Sequence, residues 1–424
     1  MTRIALLSSE PIRPKMAGIG IRYLELARRL PRFGFEVVLV SPAEPAETAA
    51  LGLEAQVRGF ERGRLREILG DCQAAVAQGQ LANDVLLEMP ELPVAIDLYD
   101  PWLIENLTYA ETLGFGPFRN DHATWVLQMS RGDFFLCSSE EQRTFYLGFL
   151  AALGRVNPER LAGDPDLDTL IAPVPFGVPD ELPAHQPVLP PREPGETRLL
   201  FGGLYDWYDP WTLLDALALA DKPNWRLFLI RNPNPESTPQ RLMGEVEARC
   251  RQLGWLDGKD RQRRVQILDW IPADRRYDLL REVDLLVAPH RPSLETRLSL
   301  RTRFLDAMAA GCPVVTSAGG AMSRMLREHN AGWVVPPGDA PALAAALAEA
   351  VGDATARDRH QAGARELLIA FRWDRALAPL VRFCREPKSD ETKERFVHRP
   401  GTTAPPDSLP LRIRRRLRGW RLVR

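Results

Sequence analysis

Apolar residues along the chain form short unbroken runs that alternate with helical stripes. Residues 4–7 form the first run, a loop with Gly18 and Gly20 follows, and apolar positions recur at helical spacing through 23–30 before a second run at 37–40. Short apolar runs predict buried strands, and the helical spacing predicts an amphipathic helix. Further strands are predicted at 74–77, 94–96, 134–137 and 171–174, and helices near 122–131 and 140–153. This alternation predicts a doubly wound α/β domain.

A proline-rich segment interrupts the alternation. Residues 173–194 hold eight prolines. Because proline fixes its own backbone angle and lacks an N–H donor, helices and strands do not continue through such a segment. We therefore expect a semi-rigid linker and a domain boundary at this point.

A second alternating array follows the linker. Strands are predicted at 199–201, 227–230, 265–268, 285–288 and 314–316, and helices near 210–220, 239–253, 275–281, 299–310, 321–328 and 341–351. The predicted organisation is a first domain at 1–178, a linker at 179–196, a second domain at 197–385 and a disordered tail at 386–424. Two such domains leave a cleft between them, and small ligands often bind at domain interfaces.

Polar residues of the second domain collect after the predicted strand at 285–288. Glu295, Arg301, Arg303 and Asp306 lie in the loop and the first turns of the next helix. In a parallel sheet the carboxyl ends of the strands form the ligand-binding edge. Carboxylates and arginines together suit a ligand with hydroxyls and phosphates. The alternative for the two arginines is an exposed, solvated helix face.

Two features of the first domain are candidates for binding or chemistry. Asp97 and Asp100 follow a buried strand and are candidate catalytic residues, or one of them caps the next helix. Gly18 and Gly20 allow backbone N–H groups to approach an anion at a helix N-terminus, or they only form a tight turn.

Composition excludes several classes of function. The formal net charge is -1, so no global charge favours nucleic acid. The five cysteines form no CxxC pair, which predicts neither a disulfide framework nor a zinc site and is typical of a cytoplasmic protein. No apolar run is long enough for a signal peptide or a membrane span.

The end of the chain is strongly basic. Residues 411–424 contain seven arginines and no acidic residue. If helical, this segment places apolar residues on one side, which suits an anionic membrane surface. Nucleic acid binding and a merely solvated tail are the alternatives.

Several motifs in order resemble glycosyltransferase family 4, which has the GT-B fold of two Rossmann-like domains facing across a cleft. AGIGIRYLELARRL resembles the family's first loop and helix, and VPFGVPDEL resembles its interdomain turn. The acidic Asp306 followed by AMAAG, and then GWVVPPGDAPALAAAL, resemble its nucleotide-sugar domain. The resemblance covers roughly residues 1–380.

The resemblance implies a retaining hexosyltransferase that uses a nucleoside diphosphate sugar and a hydroxyl acceptor, such as a lipid-linked glycan or a polysaccharide. It implies no cofactor and no protein metal site. Together with the local patterns, it leaves Asp97, Asp100 and Glu295 as the candidate catalytic positions. The candidate donor-binding residues are Gly18, Gly20, Gly202, Gly203, Arg301, Arg303 and Asp306. We expect a cytoplasmic protein at the inner face of the membrane.

The sequence departs from the family pattern at three places. The family's two glutamates, separated by seven residues, correspond here to Glu295 and Asp306 with ten residues between them. FGGLYDWYDP replaces the segment with the family's phosphate-binding arginine and lysine, and Tyr99 and Asp100 replace its histidine and aspartate. These departures favour an alternative, a catalytically inert GT-B scaffold that binds a nucleotide sugar or a partner enzyme. A nucleotide-sugar epimerase on the same fold is a further alternative.

Overall fold

The computed structural model describes residues 1–231, 241–256 and 264–397. Within these ranges two parallel sheets are each covered by helices on both faces. The two doubly wound domains predicted from the alternating pattern are therefore confirmed.

The first sheet has seven strands in the order β3-β2-β1-β4-β5-β6-β7. Its strands are β1 Arg3–Leu7, β2 Glu36–Ser41, β3 Gln56–Gly59, β4 Ala74–Ala77, β5 Val94–Asp97, β6 Phe134–Cys137 and β7 Ile171–Pro173. Its helices are α1 Gly18–Arg29, α2 Pro45–Ala49, α3 Leu65–Leu69, α4 Gly79–Glu88, α5 Trp102–Asn106, α6 Ala110–Leu113, α7 Gly116–Arg131, α8 Glu140–Ala152 and α9 Pro158–Gly163. The central strands are fully buried, which accounts for their unbroken apolar runs.

The second sheet has six strands in the order β10-β9-β8-β11-β12-β13. Its strands are β8 Thr197–Gly203, β9 Trp225–Ile230, β10 Val265–Leu268, β11 Leu285–Ala288, β12 Val314–Ser317 and β13 Trp333–Val335. The helices that follow β8 are α10 Pro210–Ala220, α11 Arg241–Gln252, α12 Arg276–Arg281, α13 Leu294–Leu298, α14 Thr302–Ala309, α15 Ala321–Glu328, α16 Ala340–Gly352, α17 Ala354–Leu368, α18 Trp373–Ala376, α19 Ala378–Arg385 and α20 Thr392–Phe396.

One helix at the predicted ligand-binding edge differs from the prediction. The helix expected near 299–310 is divided, because α13 begins in the predicted loop and ends at Leu298, and α14 begins at Thr302. Ser293 caps α13 by accepting a hydrogen bond from the Thr296 N–H. The residues between the two helices are not helical. Arg301 and Arg303 therefore do not have the relative orientation that one continuous helix would give them.

The end of the described chain returns to the first domain. Val178 pairs with Arg372, the ring of Phe176 lies 5.3 Å from that of Trp373, and Phe134 stacks on Phe383. A Cβ on Gly177 would collide with Trp373, so this close approach requires glycine. The two domains are thus connected by the C-terminal helices as well as by the linker.

The predicted disorder of residues 386–424 is wrong for their first part. Asp390 is buried and forms an ion pair with Arg155 at 2.8 Å, and Lys393 pairs with Asp133 at 2.7 Å. These buried charges hold α20 against the first domain. The basic segment at 411–424 lies outside the described residues.

Candidate functional site

A cleft with a volume of about 640 Å³ lies between the two domains. The loops after β1 and β5 and helix α5 form one wall, which we call the first-domain wall. The end of β8, helix α12 and the segment from Ser299 to Asp306 form the other, which we call the second-domain wall. Both walls lie at the carboxyl ends of parallel strands, where the sequence predicted the ligand-binding edge.

Direct hydrogen bonds join the two walls. Trp270 Nε1 donates to the carbonyl of Met16 at 3.1 Å, and the N–H of Ala273 donates to the carbonyl of Pro14 at 3.1 Å. Ser299 Oγ donates to Glu105 Oε1 at 3.3 Å. The structure is therefore a closed arrangement in which groups of both domains can contact one ligand.

Asp97 does not border the cleft. Its carboxylate accepts hydrogen bonds from Arg22 Nε at 2.6 Å and Nη2 at 3.1 Å, and both side chains are fully buried. Arg22 Nη2 also donates to the carbonyl of Val174. In this position Asp97 is the counterion that burial of the arginine requires, and its catalytic role stays a prediction.

Asp100 does border the cleft, and its side chain is hydrogen-bonded to that of Glu105, which the sequence analysis missed. Burial raises the pKa of Asp100 to about 6, while the hydrogen bond from Glu105 lowers it. Burial, and then the charge of Asp100, holds the pKa of Glu105 well above its ordinary value. Because burial raises both pKa values, the pair favours a shared proton that Glu105 donates towards Asp100.

Glu295 lies behind Arg301, not in the lining of the cleft. The two groups form a two-pronged ion pair, with Arg301 Nη1 and Nη2 each 2.7 Å from a carboxylate oxygen. The direct sugar contact predicted for Glu295 does not fit this geometry, because Arg301 is the partner that borders the cleft. Burial by itself lowers the pKa of Arg301. The charge of the Glu295 carboxylate outweighs burial, so the pKa of Arg301 lies above its ordinary value.

Arg303 is fixed at the end of β8. It donates to the carbonyls of Phe201 at 2.8 Å and Gly203 at 3.1 Å and to the Tyr208 hydroxyl at 2.9 Å. Gly202 has a φ of 90°, and a Cβ there would lie 3.2 Å from Arg303 Nη1. Within the described residues Arg303 forms no ion pair. Its positive charge therefore faces the cleft without a carboxylate partner.

Asp306 lies one turn into α14, beside Arg276. Its Oδ2 is 3.3 Å from Arg276 Nε, and the carboxylate is largely buried. Its Oδ1 has no hydrogen-bond partner among the residues that the structure describes. Both residues border the cleft, although this Oδ1 atom is itself buried.

The glycine loop of the first domain is occupied by an internal carboxylate. Glu10 accepts hydrogen bonds from the N–H groups of Ala17 and Gly20, each at 2.7 Å. A Cβ on Gly18 would lie 2.9 Å from the Tyr99 hydroxyl oxygen, and one on Gly20 would lie 2.9 Å from the Met16 Cβ. The glycines thus permit close packing, and Glu10 takes the N–H group of Gly20 that was predicted to bind a ligand anion.

Sequence reasoning missed further residues that line this cleft. Those that the structure adds are Glu10, Glu105, Tyr208, Trp270 and Arg276. Glu10 lies close in sequence to the glycine loop, and Glu105 lies close to Asp100. This closeness in sequence to a predicted feature was the signal that could have identified them. Trp270 and Arg276 lie in segments that carry no motif, so only the fold brings them to the cleft.

Neither a metal-binding cluster nor a membrane-spanning helix is found within residues 1–231, 241–256 and 264–397. In these ranges no group of three or more His, Cys, Asp or Glu side chains is arranged to hold a metal ion. No helix in these ranges is both long and apolar enough to cross a bilayer.

Sequence comparisons match the second domain to a known family. Residues 197–353 match the family model described as Glycosyl transferases group 1. A phosphatidyl-myo-inositol mannosyltransferase of Mycolicibacterium smegmatis is 32% identical over 211 residues, which is 49% of this chain and 50% of that protein. The chain spans about a fifth to a half of the length of the curated relatives it matches.

Solved structures match both domains together. Sucrose-phosphate synthase of Thermosynechococcus elongatus has a TM-score of 0.64 at 16% identity, covering 91% of this chain and 99% of that one. HepE of Anabaena, solved with UDP and glucose, has a TM-score of 0.64 at 16% identity, covering 90% and 99%. The predicted GT-B fold is confirmed by these similarities.

Proposed function

We propose that this chain, whose residues 197–353 form a glycosyl transferases group 1 domain, transfers a sugar from a nucleoside diphosphate sugar to an acceptor hydroxyl. The observation that carries the proposal is that Arg303 and Asp306 both border the cleft on the second-domain wall. Arg303 brings a charge without a carboxylate partner among the described residues, and Asp306 brings a carboxylate oxygen without a hydrogen-bond partner among them. A diphosphate and a ribose have the complementary groups.

Transfer with retention needs no acid and base of the protein. The bond between the anomeric carbon and the phosphate oxygen breaks, a bond from the acceptor oxygen forms on the same face, and the acceptor proton moves to the departing phosphate oxygen. Negative charge grows on the diphosphate during this step. Arg303 and Arg301 on the second-domain wall would stabilise that charge.

The acidic pair of the first-domain wall suits the other reactant. Asp100 can accept a hydrogen bond from an acceptor hydroxyl, and Glu105 keeps Asp100 oriented through the shared proton. Holding the hydroxyl near the donor sugar lowers the entropic part of the barrier. We assign Asp100 to acceptor binding and Glu105 to its positioning.

A panel of nucleotide sugars tests the proposed activity. Purified protein is titrated with each compound, UDP-glucose among them because HepE was solved with UDP and glucose, and hydrolysis and transfer are then measured. Binding of one donor, followed by its slow hydrolysis and by faster transfer to a suitable glycan, is the expected result. No binding of any member of the panel would contradict the proposal.

The inert scaffold is a second candidate because two acidic residues near the cleft accept hydrogen bonds from the backbone of the protein itself. Asp206, in the segment that replaces the family's phosphate-binding residues, accepts the N–H of Leu242 at 3.0 Å, and Glu10 occupies the glycine loop. Nucleotide-sugar binding without hydrolysis, and without transfer to a cell-envelope glycan extract, would favour this candidate.

The acceptor is proposed to belong to cell-envelope or polysaccharide biosynthesis at the cytoplasmic face of a membrane. The similarity to a phosphatidyl-myo-inositol mannosyltransferase and the basic segment at 411–424 support this. Each arginine near an anionic surface contributes about 1 kcal/mol to binding. Deleting 411–424 should reduce cosedimentation with anionic vesicles and leave nucleotide affinity unchanged, and equal partition of both chains would remove the membrane proposal.

A further inference from the structure

The two walls of the cleft carry different charges. Arg276, Arg301 and Arg303 lie on the second-domain wall. The first-domain wall carries the carboxyl groups of Glu10, Asp100 and Glu105, and Arg13 also borders it. A diphosphate therefore meets its counter-charges on the second-domain wall. A second anion on the first-domain wall would be placed beside carboxylates.

The N-terminus of α1 would ordinarily favour such an anion. Its unpaired N–H groups and helix dipole attract phosphate. Here Glu10 already accepts the N–H groups of Ala17 and Gly20, one with each carboxylate oxygen. These are short charge-assisted hydrogen bonds, and Glu10 itself borders the cleft. A phosphate cannot reach the same N–H groups unless Glu10 leaves them.

The rest of this wall suits uncharged hydroxyl groups. The Asp100 and Glu105 pair presents acceptor oxygens, to which a hydroxyl can donate. Opposite this wall, Trp207 of the second domain lies 6.1 Å from the Tyr109 ring of the first domain and stacks on Tyr205 with ring centres 4.9 Å apart. These rings offer an apolar surface to the carbon face of a sugar or polyol.

We infer that the first-domain wall binds an uncharged polyhydroxyl acceptor, such as an unphosphorylated sugar unit, and that Glu10 excludes phosphorylated acceptors from it. This inference rests on the proposed transferase function and names the chemical class of its acceptor. Glu10 acts as a specificity residue because it supplies the negative charge that α1 would otherwise take from a ligand.

Inorganic phosphate is the direct probe of Glu10. Protein saturated with the nucleoside diphosphate that binds best is titrated with phosphate, so that the second-domain wall is already filled. Glu10→Gln and Glu10→Ala should each gain at least tenfold in phosphate affinity over the unchanged protein. Glu54→Gln removes the same charge from an exposed position and should gain nothing. Equal phosphate affinity in all four proteins would overturn the inference.

A comparison of acceptors gives a second measurement that needs no variant. The unchanged protein should transfer at least tenfold faster to methyl glucoside or a neutral oligosaccharide than to glucose 6-phosphate or its phosphorylated counterpart. Faster transfer to the phosphorylated compounds would overturn the inference even if the Glu10 variants failed to fold. If no nucleoside diphosphate binds at all, the proposed function fails, whereas phosphate titration of the unliganded variants still decides the role of Glu10.

Discussion

The two walls of the cleft satisfy their charges in different ways. On the first-domain wall, charged groups are paired internally, since Glu10 accepts two backbone N–H groups and Arg22 and Asp97 neutralise each other just beneath. On the second-domain wall, Arg303 has no ion-pair partner among the described residues, and the buried Oδ1 of Asp306 has no hydrogen-bond partner among them. The comparison teaches that charged residues at a strand end are not equivalent. Their partners decide whether they support the wall or face a ligand.

Removing Arg22 should have the largest effect, and on stability. Arg22→Ala leaves Asp97 buried without a counterion, which typically costs about 3–5 kcal/mol in the free energy of unfolding. Urea denaturation followed by circular dichroism measures the change. Arg28→Ala is the matched control, since Arg28 is partly exposed in its pair with Glu25 and should cost less than about 1 kcal/mol. A small effect at Arg22 would show that the first-domain wall does not depend on this pair.

Changing Arg303 should affect turnover more than binding. Arg303→Lys removes the planar, two-pronged donor that suits a phosphate and keeps the charge. We expect turnover to fall roughly 10²-fold, the scale for losing one donor to a developing charge. Nucleoside affinity should stay unchanged, since the nucleoside lacks the diphosphate.

Arg297→Lys is the control for Arg303, because Arg297 is exposed on α13. Full turnover and full diphosphate affinity in Arg303→Lys would place the phosphate site elsewhere. Arg301→Lys is the next variant, although its two-pronged bond to Glu295 makes it a less direct probe.

Asp306 should matter for binding of the nucleoside part. Asp306→Ala should weaken nucleoside diphosphate binding by roughly 1.5–3 kcal/mol, the scale of hydrogen bonds to a charged group. Calorimetric titration with a nucleoside diphosphate and with inorganic diphosphate separates ribose contact from phosphate contact. An equal loss for both ligands would show that Asp306 acts through Arg276 and not on the ribose.

The acidic pair should give the smallest effect, a change in the pH profile. Since the pKa of Asp100 is raised to about 6, transfer should fall as the pH drops below 6 and Asp100 takes up a proton. Transfer should fall again at alkaline pH, where Glu105 loses the shared proton. Glu105→Gln keeps an N–H donor towards Asp100, so it should retain the acid limb and lose the alkaline limb of kcat/KM. An unchanged profile would remove the pair from the site.

The sequence predicted the second-domain wall better than the first. Arg303 and Asp306, which were predicted from the local pattern of a strand end followed by a polar segment, border the cleft. Asp97 shows the same local pattern and is nonetheless buried, because Arg22 on α1 reaches it from a distant part of the chain. Glu295 was misplaced because the helix after β11 is divided, which turns the carboxylate towards Arg301.

The sequence by itself determined the two doubly wound domains, since apolar runs and helical stripes depend on short stretches of chain and on burial of each strand. It also predicted a linker, through the fixed backbone angle of proline. Tertiary structure decided which partner each charged group has. Glu10 bonds across its own loop, and Lys393 and Asp390 hold the C-terminal helix on the first domain. These pairings join residues far apart in the chain or depend on the geometry of a loop. Because burying an unpaired charge costs free energy, the available partners determine where each charged group can lie.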